Sequence, residues 1–307
     1  MEKTRLAVIG VGALGQHHAR ILGAMPDVEL VGVVDINAAR AQEVAATHGT
    51  TVVSEASSLI GRVDGVSIAT PTASHVEVAL PFVEAGIAVL IEKPLASSLG
   101  EADRLLAASA ARGSLLATGH TERFNPAVAA ARPLVSSPRF VEVHRLGTFP
   151  DRSLDIDVIF DLMIHDLDVL LSLVGSDVAA VEAVGVNVLT PKVDIANARL
   201  RFESGCIANL TASRISRDRV RKARFFQHDA YISIDYAAQE LEVYRLVPSN
   251  GGRPVIQGGR VEIVNEEPLQ RELVDFVAAI RERRPPAVTG ADGRAALALA
   301  TRIAELI

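Results

Sequence analysis

The chain has 307 residues, 49% apolar and 22% charged, a globular make-up that excludes a disordered or fibrous polypeptide. Acidic residues (37) outnumber basic ones (31), and the net charge of −6 argues against nucleic acid or an anionic membrane as the main partner. The single cysteine, Cys206, rules out an internal disulfide framework and any multi-cysteine zinc or iron–sulfur site. No apolar run is long enough to cross a bilayer, and the start Met1-Glu2-Lys3-Thr4-Arg5 lacks a secretory pattern, so a cytoplasmic protein is expected.

Apolar runs of strand length lie at Leu6–Ile9, Val28–Val34, Val63–Ile68, Ala88–Ile91 and Leu115–Ala117. Helix-patterned stretches separate them, including Ala38–Thr47, Val76–Glu84 and Glu101–Arg112, the last opened by the capping box Ser98-Leu99-Gly100-Glu101. This alternation predicts a doubly wound parallel α/β domain, a Rossmann domain, over 1–120. A long helix follows at about Asp157–Val174. Successive strands are then expected at Val178–Asn187, Ile195–Phe202, Cys206–Thr211, Ala223–Phe226, Tyr231–Asp235 and Leu241–Leu246. Strands without intervening helices predict an α+β domain with a large open mixed or antiparallel sheet over 121–290. Asn250-Gly251-Gly252-Arg253-Pro254 and Gln257-Gly258-Gly259 read as hairpin tips. Leu269, Leu273, Phe276, Val277 and Ile280 stripe one C-terminal helix, which Pro285-Pro286 ends. Thr289-Gly290-Ala291-Asp292 caps a last helix, 291–307, expected to pack back on the first domain.

Gly10-Val11-Gly12-Ala13-Leu14-Gly15 is a G-x-G-x-x-G run that directly follows a strand and opens a helix. Gly10 would permit the tight turn, Gly12 the close approach of a pyrophosphate, and Gly15 close packing of helix on strand. Asp35, with Ile36 beside it, ends the second strand, where an acid can hydrogen-bond an adenosine ribose and repel a 2′-phosphate. NAD is therefore the expected cofactor, with Arg40 the one residue able to soften that preference.

Three strand ends carry unusual residues: Ala69-Thr70-Pro71 leading to His75, then Glu92-Lys93-Pro94, then Gly119-His120-Thr121-Glu122-Arg123-Phe124-Asn125-Pro126. Only four of the 31 basic residues are lysine, and Lys93 is one of them. A lysine can titrate where an arginine cannot. On an ideal helix Asp157, Asp161, His165, Asp168 and Ser172 share a face about 80° wide, with carboxylates flanking the imidazole. Such a histidine can accept a hydroxyl proton near neutral pH. The same face also reads as the solvated side of an amphipathic helix, or as a metal site at Asp161 and His165, though no further ligand motif supports a metal.

In this order and spacing, the fingerprint, Ala69-Thr70-Pro71 with His75, Glu92-Lys93-Pro94 and Asp161-x-x-x-His165-x-x-Asp168 resemble the glucose–fructose oxidoreductase/inositol dehydrogenase (Gfo/Idh/MocA) family, over essentially the whole chain. The resemblance implies a catalytic triad of Lys93, Asp161 and His165. It implies a nicotinamide cofactor held by Gly10, Gly12, Ala13, Leu14, Gly15, Asp35, Ile36, Ala69, Thr70, Pro71, His75, Glu92 and Lys93. It also implies a homodimer or homotetramer formed through the C-terminal sheet. The run from Gly119 to Pro126, with Asp161–Asp166, is similar to members that oxidise UDP-N-acetylglucosamine at C3, supplying a 3-keto nucleotide sugar for amination as in some lipid A pathways. His120, Glu122, Arg123 and Asp168 are then candidate substrate ligands. The segment Arg214–Arg224 holds six basic residues in eleven and either receives the substrate pyrophosphate or forms a solvated loop or subunit contact. Whether Lys93 or His165 is the base stays open at this level. Other readings are an inositol or aldose dehydrogenase, a catalytically silent NAD-binding regulator, and a biliverdin-type reductase that would leave Asp161 and His165 without a task.

Overall fold

The computed structural model describes residues 2–149, 154, 156–248 and 253–307. The chain divides into two compact units, Met1–His120 with Leu269–Leu297, and Thr121–Pro268 with Ala298–Ile307. Leu269–Leu297 therefore groups with the first unit rather than with a 121–290 domain, and the last helix is shared between the two units.

In the first unit β1 (Thr4–Ile9), β2 (Val28–Val34), β3 (Gly65–Ile68), β4 (Ala88–Glu92) and β5 (Leu116–Gly119) form one sheet in the order β2-β1-β3-β4-β5. All four pairings are parallel. Every residue of β3 and β4 is buried, as expected of strands covered on both faces. The connecting helices are α1 (Gly15–Ala24), α2 (Ala38–His48), α3 (His75–Glu84) and α4 (Leu99–Arg112). α4 starts where Ser98 Oγ accepts the Glu101 N–H at 3.3 Å, while Glu101 reaches back to the Ser97 N–H at 3.0 Å. Leu273, Phe276 and Val277, from the striped helix (Pro268–Glu282), pack with α1 and α2 on Leu6, Val8 and Leu90. Strand order reverses between β1 and β3. Ligands of open α/β sheets sit at such a point, beyond the carboxyl ends of the strands.

The second unit carries α5 (Pro126–Ala131), β6 (Phe140–Leu146), a π-helical turn (Ile159–Met163) and α6 (Ile164–Val174). β7 (Val178–Val186), β8 (Ile195–Phe202), β9 (Ile207–Ser213), β10 (Val220–Phe226), β11 (Ala230–Asp235), β12 (Glu240–Val247) and β13 (Val255–Val261) follow. Together with β6 they make one sheet in the order β13-β12-β11-β10-β6-β9-β8-β7. The β6–β9 pairing is parallel and the rest are antiparallel, so the sheet is mixed. Burial alternates along β6 and β8, which gives the sheet one covered and one more open face. The striped helix is α7, and the last helix, α8 (Gly290–Ala304), is capped as expected, Asp292 Oδ2 accepting the Thr289 N–H at 2.8 Å.

Two local readings change. β6 was not expected as a strand, although its Phe140-Val141-Glu142-Val143-His144 alternation is the required signal. Gln257-Gly258-Gly259 is not a hairpin tip; it lies inside β13. Gly258 has φ 142°, and a Cβ there would fall 1.9 Å from the Val243 carbonyl oxygen, so these glycines let an edge strand lie close on β12. The tip expected at Asn250–Gly252 falls outside the described residues.

Arg214, the first of the basic segment, is a core residue. Its Nε donates to Asp194 Oδ1 at 2.9 Å and its Nη1 to the Ile156 carbonyl at 2.7 Å. Asp194 Oδ2 also accepts the N–H groups of Val188, Leu189 and Thr190 at 2.9, 2.6 and 2.9 Å. Burial alone would raise its pKa, but these donors outweigh burial and hold the carboxyl far below the usual range. A depressed native pKa stabilises the fold above the unfolded value and stops doing so as the proton returns. Asp194→Asn is therefore expected to lower the urea midpoint clearly at pH 7. The gap from wild type should narrow as pH falls below about 4.

Candidate active site

The fingerprint loop is close-packed on its inner side and open on its outer side. Gly10 has φ 84°, and a Cβ there would meet Ala69 and Thr70 backbone atoms at 2.8 Å. A Cβ on Gly15 would fall 1.8 Å from the Gly10 carbonyl oxygen. A Cβ on Gly12 would meet nothing within 4 Å, and Gly12, Ala13 and Leu14 are exposed just before α1. Backbone amides at a helix start, facing open space, form the cradle a dinucleotide pyrophosphate needs. Beside it, at the end of β3, Thr70 Oγ1 is buried and has no hydrogen-bond partner among the described residues. Ala69 is half-buried and Pro71 exposed. These residues fit a nicotinamide dinucleotide.

Asp35, expected to meet a ribose, is half-buried after β2. Its Oδ2 accepts the Val11 N–H and its Oδ1 the Asn37 N–H, both at 2.8 Å, so it ties the fingerprint turn to the second strand. Each oxygen keeps a second lone pair. Ile36 is fully exposed, an apolar platform beside this acid. Arg40 is spent: its Nε donates to the Val11 carbonyl at 3.1 Å, its Nη2 to Gln16 at 2.5 Å and its Nη1 to Glu43 at 2.7 Å. It braces the loop.

His75 and Glu92, expected as cofactor ligands, are both buried. The His75 ring is 1% exposed, with Nδ1 3.0 Å from the Pro94 carbonyl oxygen and Nε2 2.9 Å from that of Thr70. The ring thus sits between the segments after β3 and β4; burial pulls its pKa below the usual value, and the neutral ring has one N–H to donate to one of these two carbonyls. Glu92, also buried, sits with Oε1 3.0 Å from Nε2 of the buried His18. Lys93 follows, half-buried, and its peptide bond to Pro94 is cis. His120 closes β5 fully buried.

In the second unit, Asp161 lies within the π turn and His165 in the first turn of α6, both half-buried. The extra residue per π turn rotates everything before it by about 100° relative to α6, so a single α-helical face is not maintained. Asp157 leaves the stripe and accepts the Val193 N–H at 2.9 Å. Asp168, expected as a substrate ligand, is 1% exposed and takes two hydrogen bonds from Arg123, at 2.8 and 3.1 Å. That pair closes Arg123 as well. Asp166, not singled out beforehand, is buried against Arg145 at 2.7 and 2.9 Å, and Arg145 also donates to Glu122 at 3.0 Å. Arg145 lies 5.3 Å over the Tyr236 ring. Burial costs these groups their hydration, and Asp166 is pushed up despite its arginine. Sequence alone could flag Arg145 only as a charge on the inward-facing positions of an alternating strand.

Residues 4–120 match the family model described as "Oxidoreductase family, NAD-binding Rossmann fold", and residues 137–233 match the GFO/IDH/MocA C-terminal domain. The chain belongs to the Gfo/Idh/MocA oxidoreductase family. Its first unit is accordingly an NAD-binding Rossmann domain. UDP-N-acetylglucosamine 3-dehydrogenase of Acidithiobacillus ferrooxidans is 42% identical over 301 residues, 97% of this chain and 96% of the relative. A solved structure of that enzyme superposes with TM-score 0.93 at 40% identity, over 100% of this chain and 98% of the other. Inositol 2-dehydrogenase of Rhizobium meliloti is 27% identical over 96% of this chain and 94% of its own length. Among the described residues, no helix is long and apolar enough to cross a membrane.

Because Asp35 also holds Val11, Asp35→Ser is expected to weaken NADH at least about tenfold in a fluorescence titration, the scale of a lost charged hydrogen bond. NADPH should gain less than NADH loses. Asp166→Ala, which removes two of the hydrogen bonds of the buried Arg145 and leaves it the Glu122 carboxylate, should cost about 1–3 kcal/mol in chemical denaturation.

Proposed function

We propose that the protein oxidises the C3 hydroxyl of UDP-N-acetylglucosamine with NAD, giving the 3-keto nucleotide sugar. The observation that carries the substrate is the 42% identity to the A. ferrooxidans enzyme across 97% of the chain, with the Lys93, Asp161 and His165 pattern intact. The inositol dehydrogenases are more distant relatives, which makes a free polyol the second reading.

Bound NAD supplies the acceptor for the hydride leaving the carbinol carbon. Lys93, Asp161 and His165 serve as the catalytic residues. As the C–H bond breaks, negative charge grows on the hydroxyl oxygen, and an ammonium beside it lowers the barrier. His165 receives the hydroxyl proton, and Asp161 favours the imidazolium that results. Of the basic segment, Arg214 pairs with Asp194, Lys222 with Asp235 at 3.1 Å and Arg224 with Glu142 at 3.5 Å. Arg217, Arg219 and Arg221 remain exposed, and these are the residues we assign to the substrate diphosphate. The reading further takes the protein as cytoplasmic, as a homo-oligomer joined through the second unit's sheet, and as the supplier of a keto sugar for amination.

The test is absorbance at the NADH band with UDP-N-acetylglucosamine, myo-inositol and free aldoses. Turnover with the nucleotide sugar alone supports the reading; turnover with inositol alone overturns the substrate. His165→Asn and Lys93→Met should each lower kcat by about 10²–10⁴-fold while NADH binds as before. Wild-type turnover in either variant removes that residue from the mechanism.

A further inference from the structure

The stripe that carries Asp161 and His165 begins at Asp157, a residue to which the proposed mechanism gives no task. Its backbone carbonyl accepts the N–H of Asp161, four residues on, at 3.1 Å, and that of Phe160, also at 3.1 Å. Its side chain reaches a different part of the unit. Oδ1 accepts the Val193 N–H at 2.9 Å, while the next residue, Val158, donates its N–H to the Val193 carbonyl at 3.0 Å. Two hydrogen bonds thus clasp residues 157 and 158 to one residue of the segment before β8. Arg214 steadies both sides of the clasp, donating from Nη1 to the Ile156 carbonyl at 2.7 Å and from Nη2 to the Val193 carbonyl at 3.3 Å. Beyond the clasp comes the π turn, in which the Ile164 N–H reaches the carbonyl of Ile159, five residues back. Asp161 lies inside that turn and His165 just after it. A helix without outside restraint closes i→i−4 bonds throughout, and exchanging one register for the other rotates the two sides relative to each other by about 100°. The register therefore decides where Asp161 stands relative to His165. Downstream, α6 is pinned by Asp166 on Arg145 and by Asp168 on Arg123. Upstream, the pin is the Val193 clasp.

We propose that Asp157 is a positioning residue: by accepting the Val193 N–H it fixes the turn in which Asp161 sits, and so sets where that carboxylate stands relative to His165. Its side chain works as a hydrogen-bond acceptor and not as a further acid of the site. This rests on the catalytic roles proposed above for Asp161 and His165, and it extends them to a residue that acts through Asp161 alone.

A double-mutant cycle provides the test, run on whichever sugar the wild type oxidises. Asp157→Ala removes the side-chain half of the clasp and should lower kcat about tenfold or more, the scale on which a misplaced catalytic group is felt, with NADH affinity unchanged. Asp157→Asn keeps an acceptor oxygen for the Val193 N–H and should recover most of that loss. In an Asp161→Ala background, Asp157→Ala should lower kcat no further, because nothing is left for it to position. Losses that simply multiply overturn the proposal and leave the catalytic roles standing, since a merely structural residue would give that result. An Asp157→Asn variant as slow as Asp157→Ala also overturns it, by assigning the effect to charge. An Asp161→Ala variant with wild-type kcat removes Asp161 from the mechanism and Asp157 with it. Amide hydrogen exchange supplies a readout that needs no substrate. In Asp157→Ala the amides of Asp161 and Ile164 should exchange about tenfold faster, while those of Leu170–Val174 and of β8 exchange as in the wild type. Unchanged exchange at Asp161 and Ile164 overturns the proposal whatever the sugar. Wild-type protein that turns over inositol and not UDP-N-acetylglucosamine sinks the substrate reading and leaves the cycle to be read on inositol.

Discussion

A carboxylate taken out of water must meet a fixed partner, and much of the functional architecture follows from how this protein meets that demand. Glu92 is held by His18, Asp166 by Arg145, Asp168 by Arg123 and Asp194 by Arg214. Each pair joins segments far apart in sequence, and breaking one leaves a charge the core cannot solvate. The pairs also fall where chemistry-bearing segments need to be rigid: one under Lys93, two in the helix that carries His165, and one behind the turn that receives Asp157. Such pairs add little net stability compared with apolar packing. Their value here is orientation.

The Rossmann unit shows the same economy with backbone. Gly10 and Gly15 close the fingerprint turn against β3 and against itself, whereas Gly12 is bare toward open space, so one loop has a packed side and a binding side. Asp35 holds that loop through Val11 and Arg40 braces it from α2. The buried His75 ring sits between the Thr70 and Pro94 carbonyls, in the segments after β3 and β4. Side chains thus tie the fingerprint turn to the end of β2 and place the His75 ring between the segments after β3 and β4. In the second unit the π turn plays a related part, setting Asp161 apart from the α-helical register that begins at Ile164.

The local grammar of the chain specified a great deal: the five parallel strands, the capped helices α4 and α8, the glycine turn and the acid after β2. These depend on short-range rules, in which a glycine, a proline or an apolar period acts on its immediate neighbours. The family membership was legible for the same reason, since a motif is a local spacing. Where such grammar misled, the cause was a distant partner. Gln257-Gly258-Gly259 has the composition of a turn, yet β12 offers it a backbone to lie against.

Tertiary structure alone decided which charges are spent and which are available. Asp157, Asp161, His165 and Asp168 fall on one ideal helical face, but Arg123 removes Asp168 from that set and the Val193 amide removes Asp157. His75 and Glu92 carry motif positions that suggest cofactor contact, and only the carbonyls of Thr70 and Pro94 and the ring of His18 show that both face inward. The sequence determined where strands, helices and chemistry-bearing residue types occur, because those follow from neighbours along the chain. Which hydrogen-bonding capacity each polar group has left was largely set by partners distant in the chain, such as Ser67 and Glu92 on His18, 49 and 74 positions away, and Asp166 on Arg145, 21 positions away.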